Sequence, residues 1–192
     1  MAQSVDQIRH YLAGPDFHLV VTLGSEMVMR AQHDDEFRRV VQGASLIVPD
    51  SIGPVLAARY NGHPVRERVT GVELIRVLAQ QLGPRLRLFL LGGAPGVAEE
   101  AASQLVKSGP GVVVVGCRDG FFQDSQEVVQ QIASSKANLL LVALGSPRQE
   151  LWLAEHGVAT GVQVGIGVGG SFDVLSGRVK RAPIWLQRSG SE

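Results

Sequence analysis

Six apolar runs, each ending on a polar or glycine-rich turn, constrain the fold of this chain more than any other feature. The runs are FHLVVTLG, SLIVPD, LRLFLLGG, VVVVGCRDG, NLLLVALG and VQVGIGVGG. Helix-like segments lie between most of them. Strands that alternate with helices are typical of a parallel sheet covered by helices. The sequence therefore predicts a Rossmann-like α/β fold, with a mostly parallel six-stranded sheet and helices on both faces.

The ends of these runs carry most of the residues that are capable of chemistry. In an open parallel sheet, ligands bind outside the carboxyl ends of the strands. We therefore expect these residues to gather along one rim, although they span most of the sequence. They are Thr22, Asp50, Gly92, Gly93, Asp119, Gly145, Gly169 and Gly170.

Length and composition exclude several classes of protein. The 192 residues suit a single domain over 1–192 rather than two full domains. Eighteen basic residues balance eighteen acidic ones, so the composition gives no general case for nucleic-acid binding. The single cysteine, Cys117, forms no internal disulfide, which fits a reducing cytoplasm. No run approaches the roughly 18 apolar residues of a membrane span, so we expect any membrane association to be peripheral.

The stretch RVKRAPIWLQR near the C-terminus is locally basic. It carries Arg178, Lys180, Arg181 and Arg188 with no acid among them. One interpretation is a solvated basic surface. The other is a contact with phosphate or an anionic membrane, for which Trp185 would be a suitable interfacial anchor.

Two glycine clusters follow predicted strands. LLGGAPG places backbone amides at a helix N-terminus, where anions bind readily, and GIGVGG is similar. Neither matches a dinucleotide fingerprint or a P-loop. Glycine at a strand end often serves turn geometry alone. The sequence leaves phosphate binding and turn geometry open for both clusters.

Four polar residues are candidates for catalysis or binding, and each has a structural alternative. Asp50 follows SLIVP, where burial would favour a general base, but it could also cap the next helix. Arg68 is either a phosphate clamp or a surface charge. In GSPRQE, Ser146, Pro147 and Gln149 are predicted as N-cap, first helical residue and capping partner. Asp173 either accepts hydrogen bonds from a nucleobase or ribose, or closes a turn.

Metal binding finds little support in the sequence. The five histidines are scattered, and none pairs with another at ligand spacing. No pair of acids of the DxD type lies at a strand end. Asp34 and Asp35 fall within a long helix predicted for residues 26–41 and are interpreted as surface. We therefore expect no metal ion and no cofactor.

Taken in order, the motifs resemble one protein family. They are VVT, IVPDSIG, RVTGVEL, LFLLGGAPGVAEEAA, DGFF, LLLVALGSPRQELW, GVGGSFDVLSG and RAPIW, and they extend from about Val20 to Trp185. This series resembles the WecG/TagA/CpsF family of bacterial glycosyltransferases. The most specific pieces are GSPRQE, VGGSFDVLSG and RAPIW.

The resemblance implies an activity. Family members transfer an N-acetylmannosamine-type sugar from a UDP donor to a polyprenol-diphosphate-linked N-acetylglucosamine, with inversion and without a metal. The products feed wall teichoic acid, enterobacterial common antigen or capsule. The resemblance therefore implies a metal-independent enzyme that is peripheral at the inner face of the bacterial plasma membrane.

The resemblance also assigns roles by motif position. Asp50 matches the family's proposed base, and Thr22 matches its pocket threonine. Arg68 and Gln149 match polar pocket residues. Two further residues are implied to receive the uridine, namely Asp173 of SFD and Phe121 of DGFF.

The chain also departs from the family pattern. Members usually carry an asparagine where this chain has Gly24, and a glycine where it has Ser51. They continue past RAP-x-W with a basic and aromatic tail, which the family is thought to use at the membrane. An alternative function is a non-catalytic nucleotide-sugar-binding or assembly protein of the same fold. The apolar helix surface that an absent tail would leave uncovered keeps homo-oligomerisation open.

Overall fold

A computed structural model describes residues 1–63, 65 and 67–179 of the chain. Several sequence-based predictions lie outside these residues. They concern the RAPIW motif, Trp185, and the basic side chains of Lys180, Arg181 and Arg188. Arg178 lies inside the described range.

The sheet has six strands, and all of its pairings are parallel. The strand order is β2-β1-β6-β5-β3-β4, so the first and last strands of the chain lie side by side in the interior. The predicted six-stranded Rossmann-like α/β fold is confirmed. The strands are β1 (His18–Leu23), β2 (Leu46–Pro49), β3 (Arg87–Gly92), β4 (Val113–Arg118), β5 (Leu139–Ala143) and β6 (Val164–Gly167).

Nine α-helices lie within the described part of the chain, most of them between consecutive strands. Parallel strands require such crossovers, because each strand must restart at the same edge of the sheet. The helices are α1 (Ala2–Tyr11), α2 (Ser25–Ala31), α3 (Asp35–Gln42), α4 (Ile52–Tyr60), α5 (Gly71–Leu82), α6 (Val97–Ser108), α7 (Ser125–Ser135), α8 (Arg148–His156) and α9 (Ser171–Ser176).

Two apolar cores lie on opposite faces of the sheet. In β5, Leu139 and Leu141 belong to one core, whereas Leu140 and Val142 belong to the other. This alternation follows from the two-residue period of a strand. Helices α1, α5, α6 and α9 cover the first face, and α2, α3, α7 and α8 cover the second. Burial on both faces explains why the strands are continuous apolar runs.

The single helix predicted for residues 26–41 is wrong. The chain forms α2 and α3 there, separated by a short turn. Asp34 is the N-cap of α3, and its carboxylate accepts a hydrogen bond of 2.9 Å from the backbone N–H of Phe37. A capping aspartate satisfies backbone donors only at a helix start, so it favours a new helix over a continuous one.

Thr70 and Glu73 form a capping pair. The Thr70 hydroxyl accepts from the N–H of Glu73 and donates to the Glu73 carboxylate at 2.9 Å, at the start of α5. The pair predicted in GSPRQE is wrong. Helix α8 begins at Arg148 with Pro147 at the N-cap position and no side-chain cap. Gln149 turns its amide away from the helix terminus, toward the contacts described below.

Candidate active site

A cleft of about 700 Å³ lies outside the carboxyl ends of β2, β1, β6 and β5. We call it the rim cleft. It contains seven of the residues singled out in the sequence, from five separate segments of the chain. They are Thr22, Asp50, Arg68, Gly145, Gln149, Gly169 and Gly170.

The other five predicted site residues do not line the rim cleft. Gly92 ends β3 and Gly93 follows it, whereas Asp119 and Phe121 follow β4 at the far edge of the sheet. Asp173 lies on α9, next to Val174, which does line the cleft. The structure therefore divides the predicted rim into the cleft and a neighbouring region beyond α9.

Asp50 lies directly after β2 and does not cap the helix that follows it. Ser51 holds the N-cap position of α4. The Asp50 carboxylate instead accepts a hydrogen bond of 3.2 Å from the backbone N–H of Gly71, the first residue of α5. Because the first N–H groups of a helix have no partner within the helix, the Asp50 side chain satisfies a donor that would otherwise lack one. The contact holds one Asp50 oxygen on the cleft wall.

Because Gly71 has no side chain, the start of α5 can lie close to Asp50 and Ser171. A Cβ atom at position 71 would lie 2.8 Å from the Ser171 hydroxyl and 3.6 Å from the Asp50 carboxylate. Ser171 and Gly71 also line the cleft. Helices α5 and α9 and the end of β2 therefore meet at one closely packed point.

Thr22, near the end of β1, is buried on the cleft floor. Its hydroxyl donates a hydrogen bond of 2.7 Å to the backbone carbonyl of Gly167, at the end of β6. The two residues are 145 positions apart in the chain. This bond joins the neighbouring strands β1 and β6 where the cleft begins.

Gln149 joins α8 to the glycine turn after β6. Its side-chain oxygen accepts a hydrogen bond of 3.0 Å from the backbone N–H of Gly169, and its side-chain nitrogen donates to the Glu150 carboxyl at 2.7 Å. Gln149 is buried, and Glu150 has no exposed surface. The amide of Gln149 thus has one orientation, because the Gly169 N–H can only donate.

Burial raises the pKa of the Glu150 carboxyl, because the charged form is poorly solvated there. Hydrogen bonds from Gln149 and Ser146 act in the opposite direction but are smaller influences, and the nearby Glu26 carboxylate raises the pKa further. The second carboxyl oxygen of Glu150, Oε2, has no hydrogen-bond partner within the described residues. Sequence reasoning missed Glu150, although it stands beside Gln149 in the GSPRQE motif.

Sequence reasoning also missed Glu26, which lines the cleft. A Cβ atom at Gly24 would lie 2.3 Å from Glu26 Oε1, so the Glu26 carboxylate occupies the space of a residue-24 side chain. The signal in the sequence was the glycine at position 24, where the resemblance predicts an asparagine. Gly24 leaves room that a neighbouring acid fills.

Gly92 at the end of β3 and Gly93 after it both have a positive φ, of 124° and 74°, which favours glycine. A Cβ atom at Gly92 would lie 2.3 Å from the backbone carbonyl of Ala143 on the neighbouring strand. The N–H of Gly93 donates to that same carbonyl at 2.9 Å. The first turn of α6 carries Glu99 and Glu100, which disfavour an anion at that helix terminus. Phosphate binding by this cluster stays a prediction.

The predicted uridine residues lie beyond α9 and near β4. The Asp119 carboxylate accepts a hydrogen bond of 2.8 Å from the N–H of Phe121, whose ring is 78% exposed. Asp173 is half-buried. Arg178, close enough to Asp173 to be influenced by its charge, forms a bidentate ion pair with Glu100. This pair holds the pKa of the exposed Glu100 carboxyl below its ordinary value.

No group of three or more His, Cys, Asp or Glu side chains that could hold a metal ion occurs among residues 1–63, 65 and 67–179. Over the same residues, no helix is long and apolar enough to cross a membrane. Metal independence stays a prediction.

Comparisons with known proteins find one family and several relatives that are similar to this chain. A model of the glycosyl transferase WecG/TagA/CpsF family matches residues 1–192. The chain is 34% identical over 170 residues to an N-acetylglucosaminyldiphosphoundecaprenol N-acetyl-beta-D-mannosaminyltransferase of Bacillus spizizenii, covering 88% of this chain and 66% of that protein. It is 32% identical over 185 residues to the protein of the same name in Bacillus subtilis, covering 96% and 72%. The chain thus spans about two thirds to three quarters of the length of these relatives.

Proposed function

Because the chain belongs to the glycosyl transferase WecG/TagA/CpsF family, we propose that it is a glycosyltransferase acting in the rim cleft. The donor is a UDP-linked sugar of the N-acetylmannosamine type, and the acceptor is a polyprenol-diphosphate-linked N-acetylglucosamine. The names of the two Bacillus relatives support this sugar and this acceptor. Because a lipid-linked acceptor lies in a membrane, we propose that the protein works peripherally, at the inner face of the plasma membrane.

One observation carries this proposal, namely the convergence of four residues in one cleft. Thr22, Asp50, Arg68 and Gln149 come from four separate segments and line the same space. The family resemblance implies a role in the active site for each of them. A volume of about 700 Å³ is in the range of small-molecule sites and suits a nucleotide sugar.

The proposed reaction is a direct displacement at the anomeric carbon. Asp50 takes the proton of the acceptor hydroxyl while that oxygen forms its bond to the sugar. The bond from the anomeric carbon to the diphosphate oxygen breaks, and UDP leaves with the electron pair. Attack from the face opposite UDP inverts the anomeric centre. The Gly71 N–H keeps Asp50 oriented during this step.

The leaving diphosphate requires stabilisation of its negative charge. Arg68 is the one cation among the described lining residues, and the lining also includes two acids, Asp50 and Glu26. We propose that Arg68 contacts the diphosphate together with the backbone N–H of Gly170, which donates to no other group in the described structure. The N–H of Gly169 is not available for this task, because it donates to Gln149.

Ligand titration and product analysis test the proposal. Isothermal calorimetry should detect binding of UDP and no binding of NAD at equal concentration, because no dinucleotide fingerprint follows any strand. Incubation with UDP-N-acetylmannosamine and a short-chain polyprenol-diphosphate N-acetylglucosamine should yield a disaccharide lipid with an inverted anomeric centre, as read by NMR. A retained configuration would refute direct displacement. UDP binding without any product would favour the non-catalytic alternative.

A further inference from the structure

One buried ionisable group beside the rim cleft has no part in the chemistry above. Glu150 lies on α8 with no exposed surface. It has no ion-pair partner among the described residues, and its Oε2 has no hydrogen-bond partner there. A fully buried carboxylate without a cation is costly, so such a group is expected to remain protonated and neutral.

Glu150 nevertheless makes one well-defined contact, with the side-chain amide of Gln149. The Gln149 nitrogen donates to Glu150 Oε1 at 2.7 Å, and the Gln149 oxygen accepts from Gly169 at 3.0 Å. An amide that were turned around would direct its NH2 group at the Gly169 N–H, so two donors would face each other. The Gly169 N–H therefore excludes the reversed orientation, and Glu150 Oε1 holds the amide nitrogen in the orientation that remains.

The orientation of the Gln149 amide affects the cleft through the turn after β6. Gly169 has a φ of +50°, a conformation that glycine adopts without strain, and both Gly169 and Gly170 line the cleft. The only side-chain anchor of this turn among the described residues is Gln149 Oε1. Fixing the Gln149 amide therefore fixes the backbone that faces a ligand.

We propose that Glu150 is a positioning residue, a buried carboxyl that holds the Gln149 amide in place and thereby keeps the Gly169–Gly170 turn in the shape that binds ligand. The ligand part of this inference depends on the function proposed above. The positioning part does not, because it concerns contacts within the protein. Glu150 touches neither substrate nor reacting atoms in this proposal.

Two substitutions separate positioning from simple packing. Glu150→Leu removes the acceptor and keeps an apolar side chain in an apolar site, a change that buried polar groups often tolerate. Glu150→Gln keeps an uncharged acceptor for Gln149. Glu155→Leu is the matched control, because Glu155 is an exposed acid on the same helix.

The first measurement is hydrogen exchange at the Gly169 backbone amide, which needs no ligand. Glu150→Leu should accelerate this exchange by about tenfold or more, because the Gln149 oxygen no longer stays in place. Glu150→Gln should restore most of the protection, and Glu155→Leu should leave it unchanged. Gln149→Leu should accelerate exchange at least as much, because it removes the oxygen that accepts from Gly169. If Glu150→Leu fails to fold, Glu150→Met removes the acceptor at position 150 with an unbranched side chain and tests the same contact.

The second measurement is the affinity for UDP by calorimetry. Glu150→Leu should weaken binding about tenfold, the loss expected for one misplaced hydrogen-bonding group. Glu150→Gln should regain most of that affinity. Unchanged Gly169 exchange in Glu150→Leu, or equally fast exchange in Glu150→Gln, would overturn the positioning role. If the wild type bound no UDP while the exchange results held, the proposed function would fail and the positioning role would stand.

Discussion

Two buried threonines make the same kind of hydrogen bond at opposite edges of the sheet, and only one should affect ligand binding. The Thr22 hydroxyl donates to the carbonyl of Gly167 at 2.7 Å, on the cleft floor. The Thr160 hydroxyl donates to the carbonyl of Gly157 at 2.6 Å, ahead of β6 and therefore at the amino edge. Threonine to valine removes each hydroxyl while it keeps the shape of the side chain.

Both substitutions should lower the free energy of unfolding by similar amounts. Each leaves a buried backbone carbonyl with one donor fewer, which costs about 1–3 kcal/mol. For a chain of about this size, each kcal/mol lowers the melting temperature by about 2–4 °C. Thr160→Val also removes an acceptor for the Val162 N–H at 3.4 Å, so its loss should be at least as large as that of Thr22→Val.

UDP affinity should separate the two variants. Thr22→Val loosens the junction of β1 and β6 under the cleft and removes a hydroxyl oxygen from its lining, so UDP should bind about tenfold more weakly. Thr160→Val should bind UDP like the wild type at a temperature where both variants are folded. Calorimetry at 15 °C, with circular dichroism to confirm folding, makes the comparison. Equal affinities of the two variants would refute the assignment of Thr22 to the binding site.

Three further substitutions or reactions test individual contacts. Gly92→Ala should destabilise the fold by more than about 3 kcal/mol in urea unfolding, because its Cβ would meet the backbone carbonyl of Ala143 at 2.3 Å and φ there is +124°. Gly24→Ala adds the same methyl group against the flexible end of Glu26, so it should cost less than about 1 kcal/mol while it changes UDP affinity through the displaced carboxylate. Burial raises the pKa of Cys117 to about 11. Because the thiolate is the reactive form, iodoacetamide should alkylate the native protein slowly at pH 8 and faster as the pH approaches 11. Rapid alkylation of the native protein at pH 8 would contradict the burial of Cys117.

The fold was predictable because its signal is carried by long segments. Six apolar runs separated by helical patterns leave few architectures other than a covered parallel sheet. The break at Asp34 was missed because an aspartate inside an otherwise helical pattern is equally consistent with a solvated surface. The order of the strands in the sheet could not be predicted from the sequence, because it depends on the packing of helices that are distant along the chain.

Strand ends predicted part of the candidate site, and the family resemblance predicted Arg68 and Gln149. Thr22 and Asp50 follow apolar runs, so the rule for parallel sheets placed them on the rim. Local sequence predicts Gln149 as a capping partner, and only the family resemblance predicts it as a pocket residue, because nothing local indicates that its amide reaches Gly169, 20 residues further along. Glu150 carries no local signal of its burial, because a charged residue in a helix is ordinarily exposed.

The most direct test of the central claim is the turnover of Asp50→Asn, measured with UDP-N-acetylmannosamine and a polyprenol-diphosphate N-acetylglucosamine acceptor. If the rim cleft is the site of glycosyl transfer and Asp50 is its base, kcat should fall by about 10²–10⁴-fold while UDP affinity stays within about threefold. Asp16→Asn, at an exposed acid ahead of β1, should leave both quantities unchanged. A turnover of Asp50→Asn equal to that of the wild type would contradict the account.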